Sequence, residues 1–226
     1  MKEETIRIKL DEFEVKLNKI NIGDFMDLAK KIDFAKESKS YFVSYPEFLN
    51  YFRQLGLNKI ERHHLVIGIN FTYGWMPTTF DFCSYDFSRA NDILNNAKNN
   101  EEKITEDELY ILKKMFNNSL VGTSKLLHFI SPNKYAIWDS RVYRYIYKDD
   151  KDPNQEFLNC PKTYLQYLKK LNDLIESDKL LLNKLKLILE KNINDNLGVK
   201  LDLSLTRCLE MIMFYNAPKK TKKPKK

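Results

Sequence analysis

Residues 121–146, VGTSKLLHFISPNKYAIWDSRVYRYI, decide how the chain is read. Gly122 interrupts the helical signal of MFNNSL before it, Thr123 or Ser124 is placed to cap a new helix, and LLHFI supplies roughly two turns before Pro132 ends them. On that reading Lys125 falls in a first helical turn, where the helix dipole and partial burial disfavour an ammonium and favour a nucleophilic amine. Asp139 precedes SRVYRYIY, a second helix whose free amides would hold its carboxylate ionised. Such an anion can stabilise a developing cation or orient a nucleophile at neutral pH. Arg141 and Arg144, three apart, ride on that helix.

Outward from this stretch the pattern is mostly helical. Residues 23–32, 45–56 (proline near its start, Gly56 at its end), 58–71 and 86–99 carry helix signals, as do residues 105–116, where Thr105 and Glu108 form a capping-box pattern. Residues 161–177 and 178–193 repeat apolar residues three and four apart, and SLTRCLEMIMFY (204–215) is apolar nearly all round. The exceptions are the N-terminus and one aromatic stretch. In TIRIKLDEFEVKL (5–17), Ile6, Ile8 and Leu10, then Phe13, Val15 and Leu17, alternate with polar residues, which predicts a small β-hairpin. FTYGWMPTTFDFCSYDF (71–87), with Gly74 and Pro77, predicts an irregular connection. The expected class is therefore mainly α, with one compact domain over residues 1–216, or two fused helical lobes, and a disordered Lys-rich tail over 217–226.

Composition narrows the function. Of 226 residues 43% are hydrophobic, with 14 Phe and 13 Tyr, enough for a packed interior. MKEETIRIKL lacks a signal-peptide core and no apolar run is long enough to span a bilayer, so the expected setting is intracellular, soluble and cytoplasmic, with no membrane partner. The three cysteines Cys83, Cys160 and Cys208 are scattered without zinc or disulfide spacing. His63 and His64, being adjacent, are expected on different sides of a helix, so neither a metal nor a cofactor is expected. The net charge is +7, and six of the lysines behind it lie in APKKTKKPKK, leaving the rest close to neutral. Such a run is a solvated tail, or a nonspecific contact to a phosphate backbone.

The order of parts in residues 105–147 (helix, glycine turn, helix with an early lysine, loop, aspartate, Arg-bearing helix) resembles the helix-hairpin-helix DNA glycosylase superfamily, in particular its 8-oxoguanine glycosylase branch. In that superfamily hairpin amides grip a DNA phosphate, a lysine of the lyase-active members attacks the sugar C1′, and an aspartate assists base departure. The resemblance implies a multi-helix glycosylase-like fold and duplex DNA carrying a damaged or modified base as partner; the oligomeric state is open, a monomer being favoured. It implies Gly122, Thr123, Ser124, Arg141 and Arg144 as DNA contacts, and Asp139 with Lys125 as catalytic residues. The hairpin is reduced to Val121-Gly122, and Lys125 lies one position later than the family lysine, with Ser124 in that place. Two readings follow: a glycosylase with lyase activity through Lys125, or a base-releasing enzyme without it.

Taking a base out of the duplex requires a stacking pocket. Tyr73, Trp75, Met76 and Phe80, with His128 and Trp138, are the candidates for it. The setting is base-excision repair or defence against phage with modified bases. The rival from another class is a non-catalytic DNA-binding or scaffold protein on the same helical fold, since Asp before a helix and aromatics in a core are also ordinary structural choices.

Overall fold

Two buried helices organise the chain. A computed structural model describes residues 3–76, 78–99, 103–149 and 153–219, with the side chains of residues 3–6 left out. Among these residues there are twelve α-helices and no sheet, only an isolated bridge between Phe82 and Phe116. One organising helix is α7 (Leu120–Ile130), against which α3 (Lys39–Arg53), α4 (Arg62–Trp75), α5 (Phe87–Asn99) and α6 (Glu106–Met115) pack. The other is α12 (Leu205–Tyr215), surrounded by α2 (Phe25–Lys30), α8 (Ser140–Tyr147), α10 (Pro161–Ser177) and α11 (Lys179–Leu197). The first helix, α1 (Glu3–Asn18), lies on α10 and α8, and the short α9 is Gln155–Leu158. Buried side chains from Phe13 to Met213 form one continuous cluster across both groups. The tail residues 220–226 lie outside the described residues.

The opening segment is α1 and not the expected hairpin. Its alternation coincides with a helical period: Leu10, Phe13 and Leu17 are three and four apart, and Phe13 and Leu17 are buried while Ile8 and Val15 are exposed. Phe13 sits edge-on to Trp138 and Phe157, so tertiary packing selects the helix. The proline-led helix expected at 45–56 begins earlier, at Lys39, with Pro46 inside it. Likewise α4 runs through Tyr73, Gly74 and Trp75, so the irregular connection starts only at Met76. The capping box at Thr105 and Glu108 is present, each side chain bonded to the other's backbone amide.

The turn before α7 differs from the expectation in a way that matters for the site. Asn117 and Asn118 adopt φ of 54° and 50°, and Ser119 caps α7 by accepting from the Gly122 amide. Asparagine tolerates the left-handed region, so no glycine is needed there. Gly122 lies instead within the helix, where a Cβ would stand 2.6 Å from the Tyr73 hydroxyl oxygen and 2.8 Å from ring carbons. It is a glycine because α4 and α7 touch there. Tyr73 is pinned in turn by its hydroxyl, which donates to the Phe116 carbonyl at 2.9 Å.

Candidate active site

Lys125 and Asp139 meet. From Ser131 the chain returns along α7, bringing Tyr135 to His128 and then closing two contacts nearer the start of the helix. In the first, Ser124 Oγ accepts from the Trp138 amide at 3.0 Å; in the second, Lys125 Nζ donates to Asp139 Oδ2 at 3.3 Å. The other Asp139 oxygen, Oδ1, caps α8 by accepting from the Arg141 amide at 2.9 Å. Trp138 is locked by its indole N–H, which donates to the Leu158 carbonyl at 2.8 Å. The two side chains keep 11% and 17% of their surface exposed, so the pair reaches the protein surface at its rim. Burial pushes the Asp139 carboxyl up, but the Lys125 ammonium, the Arg141 amide and the Arg141 charge outweigh it and hold the group below the usual carboxylate range. The result is an ionised carboxylate with one oxygen fixed by backbone and one facing an amine.

The expected DNA contacts divide. Gly122, Thr123 and Ser124 are fully inside, and their groups are spent on α7 and its neighbours: the Thr123 hydroxyl donates to the Ser119 carbonyl and the Ser124 hydroxyl to that of Val121. Lacking surface, they offer no amide to a phosphate, which corrects the hairpin reading. Lys125 stands in the second turn of α7, not the first, because the helix begins at Leu120. Arg144 is buried, its Nε donating to the Pro218 carbonyl at 3.2 Å, a tie between α8 and the chain after α12. Arg141 is exposed and stacks its guanidinium on the Phe214 ring at 4.4 Å.

Of the expected base-pocket residues, Tyr73, His128 and Trp138 are core. The His128 ring is fixed in one tautomer: a carbonyl can only accept, so Nδ1–H donates to Tyr135 at 2.6 Å and Nε2 accepts from the Tyr45 hydroxyl at 2.8 Å. Burial, with the nearby Arg207 cation, pushes its pKa down to about 3. It is a neutral structural histidine. Met76 and Phe80 are half-buried, Phe80 stacking on Tyr73. Trp75 lines a groove of about 420 Å³ between α3 and α4, bounded also by Tyr41, Phe48, Phe71, Gly74 and serines 38, 40 and 44. Phe48 and Phe71 stack at 4.3 Å, and Phe129 of α7, one turn after Lys125, packs beneath Phe48, Phe71 and Trp75.

A second ion pair, not anticipated from the sequence, lies on α12. Arg207 pairs with Glu210, whose side chain is 2% exposed, and its guanidinium lies over the rings of Tyr45 and Trp75 at 5.1 and 5.6 Å. Burial raises the Glu210 carboxyl to about 7, opposed by Arg207 and Lys125 and reinforced by Asp139. The available signal is an arginine and a glutamate three apart in an otherwise apolar helix.

Among the described residues, one group has metal-ligating chemistry. Atoms of Glu61, His63 and His64 come within 4.8 Å of one another, and the two imidazole rings, in the first turn of α4, lie 3.7 Å apart at a 42° tilt instead of diverging as expected. His64 Nδ1 is already occupied by the Glu61 amide, and the positive end of α4 opposes a cation there. No family model, no curated protein and no solved structure matches the chain. Its function therefore rests on these residues.

Proposed function

We propose that this chain is a DNA glycosylase that takes a damaged or modified base out of duplex DNA and cuts its bond to the sugar, in base-excision repair or anti-phage defence. The observation that carries the reading is the Lys125 amine 3.3 Å from an Asp139 carboxylate held at the start of α8. As the C1′–N bond breaks, its electron pair leaves with the base and positive charge grows on the sugar. A carboxylate with little water around it offsets that charge. Lys125 then forms a bond from Nζ to C1′; one proton leaves Nζ and one joins the departing base, so charge balances. Opening of the sugar gives an imine, from which the strand can be nicked.

Trp75, with Tyr41, Phe48 and Phe71, supplies the stacking surface for an extruded base. Gly74 lines the groove. It sits in the last turn of α4 without a positive φ, and a Cβ there would meet nothing within 4 Å, whereas Gly68 and Gly122 are each pressed against an aromatic ring. Packing explains those two glycines. No packing contact accounts for Gly74, which lines the groove.

The test is Asp139→Asn on a panel of modified duplexes. Asparagine caps helices about as well as aspartate, so stability should move by no more than roughly 1 kcal/mol. Base release is expected to slow at least about a hundredfold while DNA binding persists. Near wild-type release by the folded variant would remove Asp139 from catalysis and favour the non-catalytic DNA-binding or scaffold reading. Borohydride trapping separates the two registers: Lys125→Ala loses the covalent adduct if Lys125 is the nucleophile and keeps base release if it is not.

A further inference from the structure

We propose that the groove between α3 and α4 receives an uncharged sugar carried by the extruded base, so that the substrate is a glycosylated base bearing a hexose. The proposal rests on the glycosylase reading and narrows its substrate, but binding alone tests it.

Three features of the groove select that chemistry. Among the described residues, none that lines it carries a charge. It therefore has nothing to pair with a phosphate, carboxylate or ammonium substituent, whose desolvation would go uncompensated. Its side-chain polar groups away from the aromatic rings are the hydroxyls of Ser38, Ser40 and Ser44. Ser38 holds the N-cap position of α3 without a side-chain cap bond, and Ser40 and Ser44 are one turn apart on the same side of α3. None of the three hydroxyls is bonded to another group among the described residues, so all are left for solvent or a ligand. The apolar part of the groove is aromatic and forms two platforms, Phe48 stacked on Phe71 and Trp75 edge-on to Tyr41 at 5.7 Å.

A bare base and a sugar ask for different walls. The edge of a base is a fixed set of donors and acceptors, read by amide, guanidinium or carboxylate groups of matching geometry. No Asn, Gln, Arg, Asp or Glu lines this groove among the described residues. A serine hydroxyl both donates and accepts, and turns to suit its partner. Three of them match the hydroxyls of a hexose, which have the same freedom, while an aromatic face receives the apolar C–H face of the sugar. Two platforms serve one for the base and one for the hexose. The volume of about 420 Å³ lies in the range that encloses drug-sized molecules, ~300–1,000 Å³, more than a bare pyrimidine fills.

The groove is tied to the amine through α7. Phe129 packs against both platforms, 5.3 Å from Phe48, 5.8 Å from Phe71 and 5.4 Å from Trp75. It follows Lys125 by four residues, so the two stand on one side of α7, about 6 Å apart along its axis. A nucleotide whose C1′ meets Lys125 then has the groove within reach of its base and of a substituent beyond it.

The experiment is a fluorescence titration of Trp75 with two free nucleosides, 5-(β-glucosyloxymethyl)deoxycytidine and its unglucosylated parent, 5-hydroxymethyldeoxycytidine. The chain has 2 tryptophans, and the other, Trp138, is fully buried. The glucosylated nucleoside should bind at least about tenfold tighter, the yield of one or two neutral hydrogen bonds. The double variant Ser40→Ala, Ser44→Ala keeps good helix formers on α3 and should close that gap to within about twofold. Gly74→Leu puts a side chain where a Cβ meets nothing within 4 Å, and should abolish binding of the glucosylated nucleoside. Equal affinities in the wild type, or no binding of either nucleoside at millimolar concentration, overturn the proposal. So does a preference that survives in the serine variant, or glucosylated binding that survives in Gly74→Leu. Preferential binding with no base release from a duplex carrying the glucosylated base would keep the groove and discard the glycosylase. Base release lost in Asp139→Asn, with equal nucleoside affinities, would keep the glycosylase and discard only this substrate.

Discussion

At the scale of single residues, the pair Tyr45 and His128 shows how much of the interior depends on groups that cannot be changed alone. The Tyr45 hydroxyl is 83 residues from the His128 nitrogen it serves, and both are buried. Tyr45→Phe keeps the ring under the Arg207 guanidinium and removes only the hydroxyl, leaving Nε2 an orphaned acceptor. The expected loss is about 1–3 kcal/mol in urea unfolding at pH 7. A loss under about 0.5 kcal/mol would mean that another donor reaches Nε2. The stacked arrangement of the two rings, 5.8 Å apart, is untouched by this change, so the measurement reads the hydrogen bond and not the packing.

At the scale of elements, the two glycines of the α4–α7 region give opposite expectations. Gly122→Ala drives a methyl into a tyrosine ring that its own hydroxyl prevents from moving, so thermal unfolding should show a loss of about 1–3 kcal/mol. Gly74→Ala meets open space inside a helix and should gain up to about 1 kcal/mol. Equal effects would contradict the close approach. The same region shows what the sequence can and cannot convey. The capping box of α6 and the apolar periods of α10, α11 and α12 are local signals, and those helices form where their patterns place them. Gly122 reads as a turn because glycine permits one, but two asparagines make the turn, and the glycine answers to Tyr73, which arrives from another helix. The N-terminal alternation is compatible with period 2 and with period 3.6 alike, and only Phe13 meeting Trp138 decides between them. Lys125 and Asp139 are legible as a pair because they come from one contiguous stretch. Arg207, Glu210 and Tyr45 are not, since the groups that give them meaning lie on helices far away along the chain.

At the scale of the whole molecule, charge gives two expectations. Truncation after Lys219 removes five lysines and leaves the Arg144 bond to Pro218 in place, so the fold should be kept. If those lysines meet DNA, the slope of log affinity against log salt should flatten by up to about 4.5, near 0.9 for each phosphate no longer neutralised. An unchanged slope would exclude the tail from DNA binding. The second expectation concerns acid. His128 has a folded pKa of about 3 against 6.5 unfolded, so the stability tied to its neutral form is complete above 6.5 and is lost as pH falls toward 3. Glu210 has a folded pKa of about 7 against 4.5, so its contribution is complete below 4.5 and is lost as pH rises through 7. Between 4.5 and 6.5 the two slopes oppose each other, each near 1.4 kcal/mol per pH unit, and these groups together leave stability almost flat. Below 4.5 only the histidine acts, joined by Asp139, whose lowered carboxyl also favours the fold less as pH drops under 3.8. Urea unfolding of the wild type should therefore show a plateau followed by a steep acid fall. In Glu210→Gln the opposing slope is gone, and stability should climb steadily with pH from about 4.5 to 6.5. A plateau that survives in that variant would show that Glu210 does not hold its proton in the folded protein.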